Sequence, residues 1–253
     1  MMYKRKIKRA LGALGLFGPA RHYFRRVNPT IRQEKKRETE FFKQLLSPGD
    51  LCFDVGANLG QKTEIFLACG AKVVVIEPNP SCFPTLRYEF GSNRNVTMVF
   101  KALGRTTGKS TLFIDGTDST ASFRQDWKWL QSGEPEAIES VSVELTTLDN
   151  LLEEFGVPAY CKIDVEGFEE EVLSTLTKPI KYISFEFQKD GIERSFTCID
   201  LVEKLAPYQF RFIAMNETDW QCPWTDSESI KRLLASENLP EVGDVFAWHD
   251  GHL

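Results

Sequence analysis

The chain has 253 residues, of which 42% are hydrophobic and 26% are charged, and its formal net charge is −5. This composition is typical of one globular α/β domain with a sizeable core, and it excludes a largely disordered chain. Twelve Lys or Arg residues and a single acid fall within residues 1–37. The rest of the chain is therefore acidic, which argues against a nucleic-acid-binding protein.

The basic N-terminal segment, residues 1–40, is predicted to be a helical arm preceding a domain of residues 41–253. Ile7, Leu11 and Leu14 recur at helical spacing among basic residues, a pattern that suits a helix lying on an anionic membrane surface. The apolar run beginning at Leu11 is too short to span a bilayer and has no persuasive cleavage site. We favour a solvated, partly ordered extension and leave peripheral membrane contact as the alternative.

The next elements are a strand, a glycine-bearing loop and a helix. Leu51–Val55 is a short apolar run containing a carboxylate, typical of a strand buried on both faces. After the loop, the residues from Thr63 to Ala68 favour a helix that ends at Gly70. Glycines allow the backbone to approach a ligand closely, and a helix start offers free N–H groups. Together these elements predict a cofactor site.

The spacing within the loop indicates the cofactor. It follows Asp54-x-Gly56-x-Asn58-x-Gly60 rather than the G-x-G-x-x-G of dinucleotide sites, which argues against a dehydrogenase. A carboxylate before the turn would repel pyrophosphate but suits the ammonium group of S-adenosylmethionine. The following strand ends at Glu77, well placed for ribose hydroxyls. The alternative interpretation is that Asp54 and Glu77 merely cap strand ends.

Strands and helices alternate along the rest of the chain. Further helices are predicted at Gln33–Leu46, Asn79–Phe90, Thr146–Phe155, Val165–Leu176 and Ile199–Leu205. Pro84 is unfavourable in the interior of the second of these. Further strands are predicted at Lys72–Ile76, Asn95–Gly104 with its exit loop, Tyr160–Asp164, Tyr182–Phe187, Phe210–Met215 and Val245–Trp248. Ser110–Ile114 and Glu139–Leu145 alternate like antiparallel strands, and the polar, aromatic segment Asp115–Ala137 between them favours a functional insert. This order predicts a doubly wound α/β fold with a mostly parallel, seven-stranded sheet and an inserted β-hairpin.

A second acidic cluster follows the strand that ends at Asp164. If that strand is the neighbour of Leu51–Val55, then Asp54 and Asp164 face one crevice at the point where the strand order reverses. A nearby carboxylate would help a hydroxyl to act as a nucleophile, so Asp164 and Glu166 are the first candidates for a base and Glu186 is the third. The alternative roles for Asp164 are to position the methionine part of the cofactor or to share a divalent cation, although nothing in the sequence requires a metal. The acids could also simply complement a helix dipole.

The positions of the cysteines and histidines limit which disulfides, metal sites and catalytic triads the chain can form. The six cysteines form no C-x-x-C pair and are interpreted as buried thiols in a reducing compartment, which predicts a cytoplasmic protein. The three histidines all lie near the ends of the chain, so a histidine-centred metal site or catalytic triad is not expected.

Five segments occur in the order found in FkbM-type methyltransferases: FDVGANLGQ (Phe53–Gln61), IEPNP (Ile76–Pro80), KALG (Lys101–Gly104), TTLD (Thr146–Asp149) and KIDVEGFE (Lys162–Glu169). The chain resembles this family over about residues 50–215. The resemblance implies a class I, Rossmann-like methyltransferase fold, S-adenosylmethionine as the cofactor and usually methylation of an oxygen, often on a sugar, glycan or secondary metabolite. The alternative is a catalytically silent relative that binds the cofactor or a partner.

The loop chemistry and the resemblance together define the predicted site. The cofactor-binding residues are Asp54, Gly56, Ala57, Asn58, Gly60, Gln61, Glu77, Pro78, Asn79, Ala102, Leu103 and Asp164. The catalytic residues are Asp164, Glu166 and Glu186, and no metal ligand is assigned. Gly60 is expected to permit close approach of the backbone to the cofactor, so that Gly60→Val would abolish binding without unfolding the domain. The family often has a histidine where this chain has Gln188, so no histidine role is carried over.

Overall fold

The computed structural model describes residues 17–115, 121–123 and 138–250. The helices are α1 (Phe17–Val27), α2 (Pro29–Phe42), α3 (Gln61–Ala68), α4 (Phe83–Phe90), α5 (Leu148–Phe155), α6 (Glu169–Leu173), α7 (Glu193–Glu203) and α8 (Ser227–Leu234). The strands are β1 (Leu51–Val55), β2 (Lys72–Ile76), β3 (Val96–Val99), β4 (Ala102–Leu103), β5 (Gly108–Asp115), β6 (Ala121–Ser122), β7 (Ile138–Thr146), β8 (Tyr160–Ile163), β9 (Tyr182–Gln188), β10 (Gln209–Ala214) and β11 (Val242–Trp248).

The main sheet has seven strands in the order β10-β11-β9-β8-β1-β2-β3. All neighbouring pairs are parallel except those of β11, which runs antiparallel to both β9 and β10. The predicted mostly parallel α/β sheet is therefore confirmed. The strand order reverses between β1 and β8, where open α/β sheets bind their ligands.

Both faces of the sheet are covered, because successive side chains of a strand point to opposite sides. Phe53 of β1 belongs to a cluster with α5, α6 and α7, whereas its neighbour Cys52 packs in a cluster with α2, α3 and α4. All six cysteines are free thiols, and five of them are buried.

Helix α2 begins at Pro29, four residues before the predicted start at Gln33. The Asn28 side chain caps it by accepting hydrogen bonds from the N–H groups of Thr30 (3.0 Å) and Ile31 (3.2 Å), and proline is favoured in the first turn. At its other end Phe41 lies in the core, with its ring centroid 5.7 Å from that of Phe246.

Helix α1 packs on α4 through polar contacts. Arg21 Nη1 lies 3.5 Å and His22 Nδ1 lies 2.6 Å from the Glu89 carboxylate. Residues 17–40 of the predicted arm are thus helical and lie against the domain instead of forming a solvated extension. Residues 1–16 lie outside the described part of the chain. Every helix within the described residues is too short or too polar to cross a bilayer.

Three more predicted helix starts are wrong. Helix α4 begins at Phe83 instead of Asn79, which places Pro84 in the first turn, where its missing N–H costs nothing. Helix α6 begins at Glu169 instead of Val165, because Glu166 has a left-handed backbone (φ +53°) that interrupts a helix. Helix α7 begins six residues before the predicted start at Ile199.

A second, smaller sheet has the order β4-β7-β5-β6. Strands β5 and β7, whose alternating patterns predicted antiparallel strands, pair antiparallel from Gly108↔Leu145 to Asp115↔Ile138. Of the predicted insert, residues 121–123 are described, and most of the remainder lies outside the described residues. This sheet stands beside the carboxyl ends of β1 and β2.

Candidate active site

The loop that follows β1 and the loop that follows β8 cross each other, and their backbones are in contact there. The Asp164 N–H donates a hydrogen bond to the Val55 carbonyl (3.0 Å), so the two strands end side by side as the crevice prediction required. Gly56 has φ +78°, and a Cβ there would lie 1.7 Å from the Asp164 carbonyl oxygen. Only glycine allows this crossing.

A crevice opens between these loops, the end of β2 and the small sheet. Residues of both sheets line it. Eight predicted site residues line it: Gly56, Asn58, Glu77, Pro78, Ala102, Leu103, Asp164 and Glu166. Leu112, Ala121 and Phe123 supply an apolar wall from the small sheet. The structure thus brings most of the predicted site residues together.

Glu77 lies buried at the end of β2. Its carboxylate accepts hydrogen bonds from the N–H groups of Asn58 (2.6 Å) and Asn79 (2.7 Å), tying the glycine loop to β2. Burial raises the pKa of Glu77 to about 7, against the effect of these two hydrogen bonds. Each carboxylate oxygen can accept more than one hydrogen bond, so Glu77 keeps acceptor capacity towards the crevice.

Asp54 is the buried carboxylate of β1. Its Oδ2 accepts a hydrogen bond from Thr63 Oγ1 (2.6 Å), whereas its Oδ1 is buried with no partner among the described residues. Burial raises the pKa of Asp54, and the nearby Lys162 ammonium opposes that shift. Asp54 lines a second cleft with the predicted residues Ala57 and Gln61. An ammonium group there would satisfy the orphaned oxygen.

Two predicted cofactor residues have a different local role. Gly60 (φ +77°) caps the start of α3, and a Cβ there would lie 2.3 Å from the Phe90 ring and not in the crevice. The predicted reason for Gly60 is therefore wrong: a valine would collide with α4, and its effect on binding could not be separated from lost packing. The Asn79 side chain is buried and accepts a hydrogen bond from the Ser81 N–H (2.9 Å).

Lys162 is a site residue that the sequence interpretation missed. It lies opposite Asp54 in the β1–β8 register, and its Nζ donates a hydrogen bond to Asp164 Oδ2 (2.6 Å). Burial disfavours its charged form, but the carboxylates of Asp164, Asp54 and Asp244 outweigh that effect and raise its pKa. A lysine inside a strand buried on both faces, two residues before an acid on the same face, was the available signal.

Glu186 on β9 and Asp164 form a tightly coupled acidic pair. Burial, followed by repulsion from Asp164, raises the pKa of Glu186 to about 8. Burial also disfavours the Asp164 carboxylate, but Lys162 outweighs it and holds the pKa of Asp164 below its usual value. Gln188, at the position where the family often has histidine, donates a hydrogen bond from Nε2 to Glu186 Oε1 (2.8 Å).

The turn after β8 is held by its own side chains. The Glu169 carboxylate accepts hydrogen bonds from the N–H groups of Val165 and Gly167 (3.2 Å each), so Glu169 has a structural role. From the small sheet, Ser122 Oγ donates to the Glu166 carbonyl (3.0 Å), and the Phe123 ring centroid lies 5.1 Å from that of Phe168. The small sheet therefore supports the turn that carries Glu166.

A third, polar cleft adjoins the crevice at Asp164. Glu186 and Asp244, which face each other in the β9–β11 register, line it together with Lys62. Helix α2 contributes Glu38, which forms an ion pair with Lys62, to the same cleft. Asp164 lines both spaces and so connects them. Within the described residues, no three His, Cys, Asp or Glu side chains are grouped so as to hold a metal ion.

The sequence that forms this site matches the model of a known protein family. The model of the methyltransferase FkbM domain matches residues 54–214, from the end of β1 to the end of β10. The chain belongs to the FkbM methyltransferase family. Membership of this family supports an S-adenosylmethionine-dependent methyltransferase. We find no curated protein whose sequence matches it.

Three solved structures to which the chain is similar are distant from it in sequence. A precorrin-6y C5,15-methyltransferase from Geobacter metallireducens is 12% identical, with 85% of this chain and 86% of that chain covered and a TM-score of 0.47. A TehB-like SAM-dependent methyltransferase from Corynebacterium glutamicum is 10% identical, with 84% and 88% covered and a TM-score of 0.45. A fibrillarin from Aeropyrum pernix with bound S-adenosyl-L-methionine is 9% identical, with 84% and 74% covered and a TM-score of 0.44.

The residues that line the crevice and the second cleft fit S-adenosylmethionine. The orphaned Oδ1 of Asp54, in the second cleft, suits the ammonium of the methionine part, and Glu77 in the crevice suits the ribose hydroxyls. The apolar wall of Leu103, Leu112 and Phe123 suits the adenine ring. The residues that would hold the cofactor therefore come from the ends of β1 and β2 and from the small sheet.

Replacing Asp54 by asparagine tests the ammonium contact. We expect Asp54→Asn to weaken S-adenosylhomocysteine binding by about 10- to 100-fold, the usual effect of losing a charged hydrogen bond, while adenosine, which lacks the ammonium, binds as before. Calorimetric titration with both ligands measures this difference, with exposed Asp219→Asn as the control. If stability falls and both affinities are unchanged, Asp54 only caps its strand.

Proposed function

We propose that the FkbM protein methylates a hydroxyl oxygen of a small-molecule or glycan acceptor, such as a sugar or secondary metabolite. The observation that carries this proposal is Glu186, a carboxyl with a pKa of about 8 in a polar cleft beside the cofactor crevice. A hydroxyl is a poor nucleophile until its proton is removed, and the best base has a pKa near the working pH. An acceptor nitrogen that is already neutral would have less need of such a group.

The chain supplies binding, orientation and proton removal. When bound, S-adenosylmethionine supplies the methyl group carried on its sulfonium. Asp54 and Glu77 would hold the ammonium and the ribose of the cofactor, and the Lys162–Asp164 ion pair lies between the crevice and the cleft. An acceptor in the cleft places its hydroxyl against Glu186, which accepts the proton. Alignment of two bound reactants can supply roughly 7–11 kcal/mol of the barrier reduction.

The electrostatics of the site favour a different order of the candidate bases. Asp164 and Glu166 were the first candidates, but Lys162 stabilises the ionised form of Asp164 and makes it a weaker base than Glu186. Glu166 lines the cofactor crevice, whereas Glu186 lines the adjoining cleft. We therefore assign proton removal to Glu186 and positioning to Asp164.

A panel of hydroxylated acceptors tests the reaction class. The full chain is incubated with methyl-labelled S-adenosylmethionine and mono-, di- and oligosaccharides, and labelled products are located by mass spectrometry. A labelled methyl ether is the expected product. Transfer to nitrogen, or a protein that binds the cofactor tightly and methylates no member of a broad panel, would favour another acceptor class or the catalytically silent alternative.

The pH dependence of turnover tests the assignment of the base. Glu186 must be deprotonated to accept a proton, so turnover should rise with pH and level off above about 8. Rates at saturating cofactor and acceptor measure this profile. A rate that is flat between pH 6 and 9 would contradict a base with this pKa.

A further inference from the structure

The outward face of helix α1 is apolar. Ala20, Tyr23, Phe24 and Val27 follow the i, i+3, i+4, i+7 spacing of a single helix stripe. Tyr23 is 69%, Phe24 56% and Val27 50% exposed, which places them among the most exposed large apolar side chains described. We call these four residues the apolar stripe. An exposed apolar patch of this kind indicates an interaction site.

The opposite face of α1 is fixed to the domain by charged contacts. Arg21 and His22 contact Glu89, and Arg25 Nη2 lies 2.7 Å from Glu64 Oε2. Gly18 lies against Tyr88, where an added Cβ would be 3.3 Å from that side chain. The helix is therefore inverted relative to an ordinary surface helix, with charge inside and apolar residues outside.

A basic cleft runs beside the apolar stripe, between α1 and α2. We define it by its five cations, Arg25, Arg26, Arg32, Lys35 and Lys36. Glu40 and Glu64 also line it; Glu64 is paired with Arg25 and with Lys35 (3.4 Å), and Glu40 with Lys43 (2.8 Å). Arg25 Nε is buried with no partner among the described residues. The cleft therefore has a net positive charge, which favours an anionic partner.

We propose that the apolar stripe and the basic cleft together dock the protein on the surface of an anionic lipid bilayer. Aromatic side chains favour the interface between headgroups and acyl chains, and each Lys or Arg near an anionic leaflet adds attraction. Binding of a surface helix strengthens with the apolar area that it buries and with its attraction to anionic lipids, and this face offers both. The active-site acids do not take part in the contact.

Charge argues against two other occupants of the stripe. Residues 1–16 of the chain contain five Lys or Arg residues and no acid, so the basic cleft would repel that segment. A second copy of the chain would bring one basic cleft against another. An anionic bilayer instead attracts the stripe's flank, the cleft and the N-terminal segment alike.

Vesicle flotation with the full-length protein tests the proposal. We expect binding to vesicles of phosphatidylcholine mixed with phosphatidylglycerol and little binding to phosphatidylcholine alone. A triple charge reversal of the exposed cations (Arg26→Glu, Arg32→Glu, Lys36→Glu) should weaken binding by about 10²-fold. Tyr23→Ser with Phe24→Ser should weaken it by at least about 10-fold.

Matched controls separate this surface from general effects. Lys109→Glu, Lys178→Glu and Lys204→Glu make the same change in net charge on other surfaces, and Val157→Ser with Leu233→Ser removes other exposed apolar groups. Both controls should bind vesicles like the parent, with unchanged circular dichroism. Equal binding to the two vesicle types, equal loss in the controls, stripe-dependent dimers in sedimentation, or binding to RNA without binding to vesicles would each overturn the proposal.

Discussion

Replacing Glu186 by glutamine lowers the turnover of the FkbM protein by about 10²–10⁴-fold, while S-adenosylmethionine still binds. Glutamine preserves the size of the side chain and its hydrogen bond with Gln188 but cannot accept a proton from the acceptor. Initial rates of S-adenosylhomocysteine formation, measured at saturating acceptor, give the loss. The remaining rate should no longer rise towards pH 8.

The neighbouring acids provide controls for that result. Glu217 lines the same cleft from its exposed rim, so Glu217→Gln should retain the parental rate. Asp164→Asn removes the charge that repels Glu186, so the rising part of its pH profile should move to lower pH. If Glu186→Gln turns over like the parent and keeps its pH profile, Glu186 is not the base, and Glu166 becomes the candidate.

Replacing Lys162 by methionine destabilises the fold by about 3 kcal/mol, because it leaves buried carboxylates without their cation. The value is at the lower end for broken buried pairs, since the Asp164 side chain keeps 34% of its surface exposed. Urea unfolding at pH 7 measures the loss. Exposed Lys178→Met should change stability by less than about 0.5 kcal/mol.

The pH dependence of that loss distinguishes charge from packing. Burial already raises the pKa of Asp54 above its usual value, and without Lys162 the main opposing charge is gone. The folded state then takes up protons as the pH falls, so the variant should recover stability relative to the parent between pH 7 and 5. A loss that is the same at both pH values would indicate lost packing, and a loss below about 1 kcal/mol at pH 7 would contradict the buried cluster.

The sequence predicted those parts of the site that lie close together in the chain. The strand, loop and helix around Gly56 follow from local patterns, because apolar runs and glycines report burial and turns directly. Asp54 and Asp244 both lie near the Lys162 ammonium, although they are far apart in sequence. Only the register of the sheet brings the two acids together around this cation. No spacing rule encodes such a meeting.

Local sequence patterns also give wrong predictions where tertiary contacts determine the backbone conformation. Gly60 has the spacing of a ligand-binding glycine, but its missing side chain makes room for Phe90. The residues after Asp164 have helical composition, yet the left-handed Glu166 and the hydrogen bonds to Glu169 hold a turn. In both cases the neighbouring element, which the sequence does not place, determines the backbone.

The contact of Phe41 with Phe246 has a consequence for how the protein is made. Phe246 follows about 200 residues after Phe41 and belongs to the final strand, β11. At about 5–20 residues per second, a ribosome needs roughly 10 to 40 s to deliver the second ring after the first. During that interval Phe41 and Phe42 of α2 lack part of the surface that buries them. The nascent chain thus leaves part of this apolar surface uncovered until β11 has been synthesised.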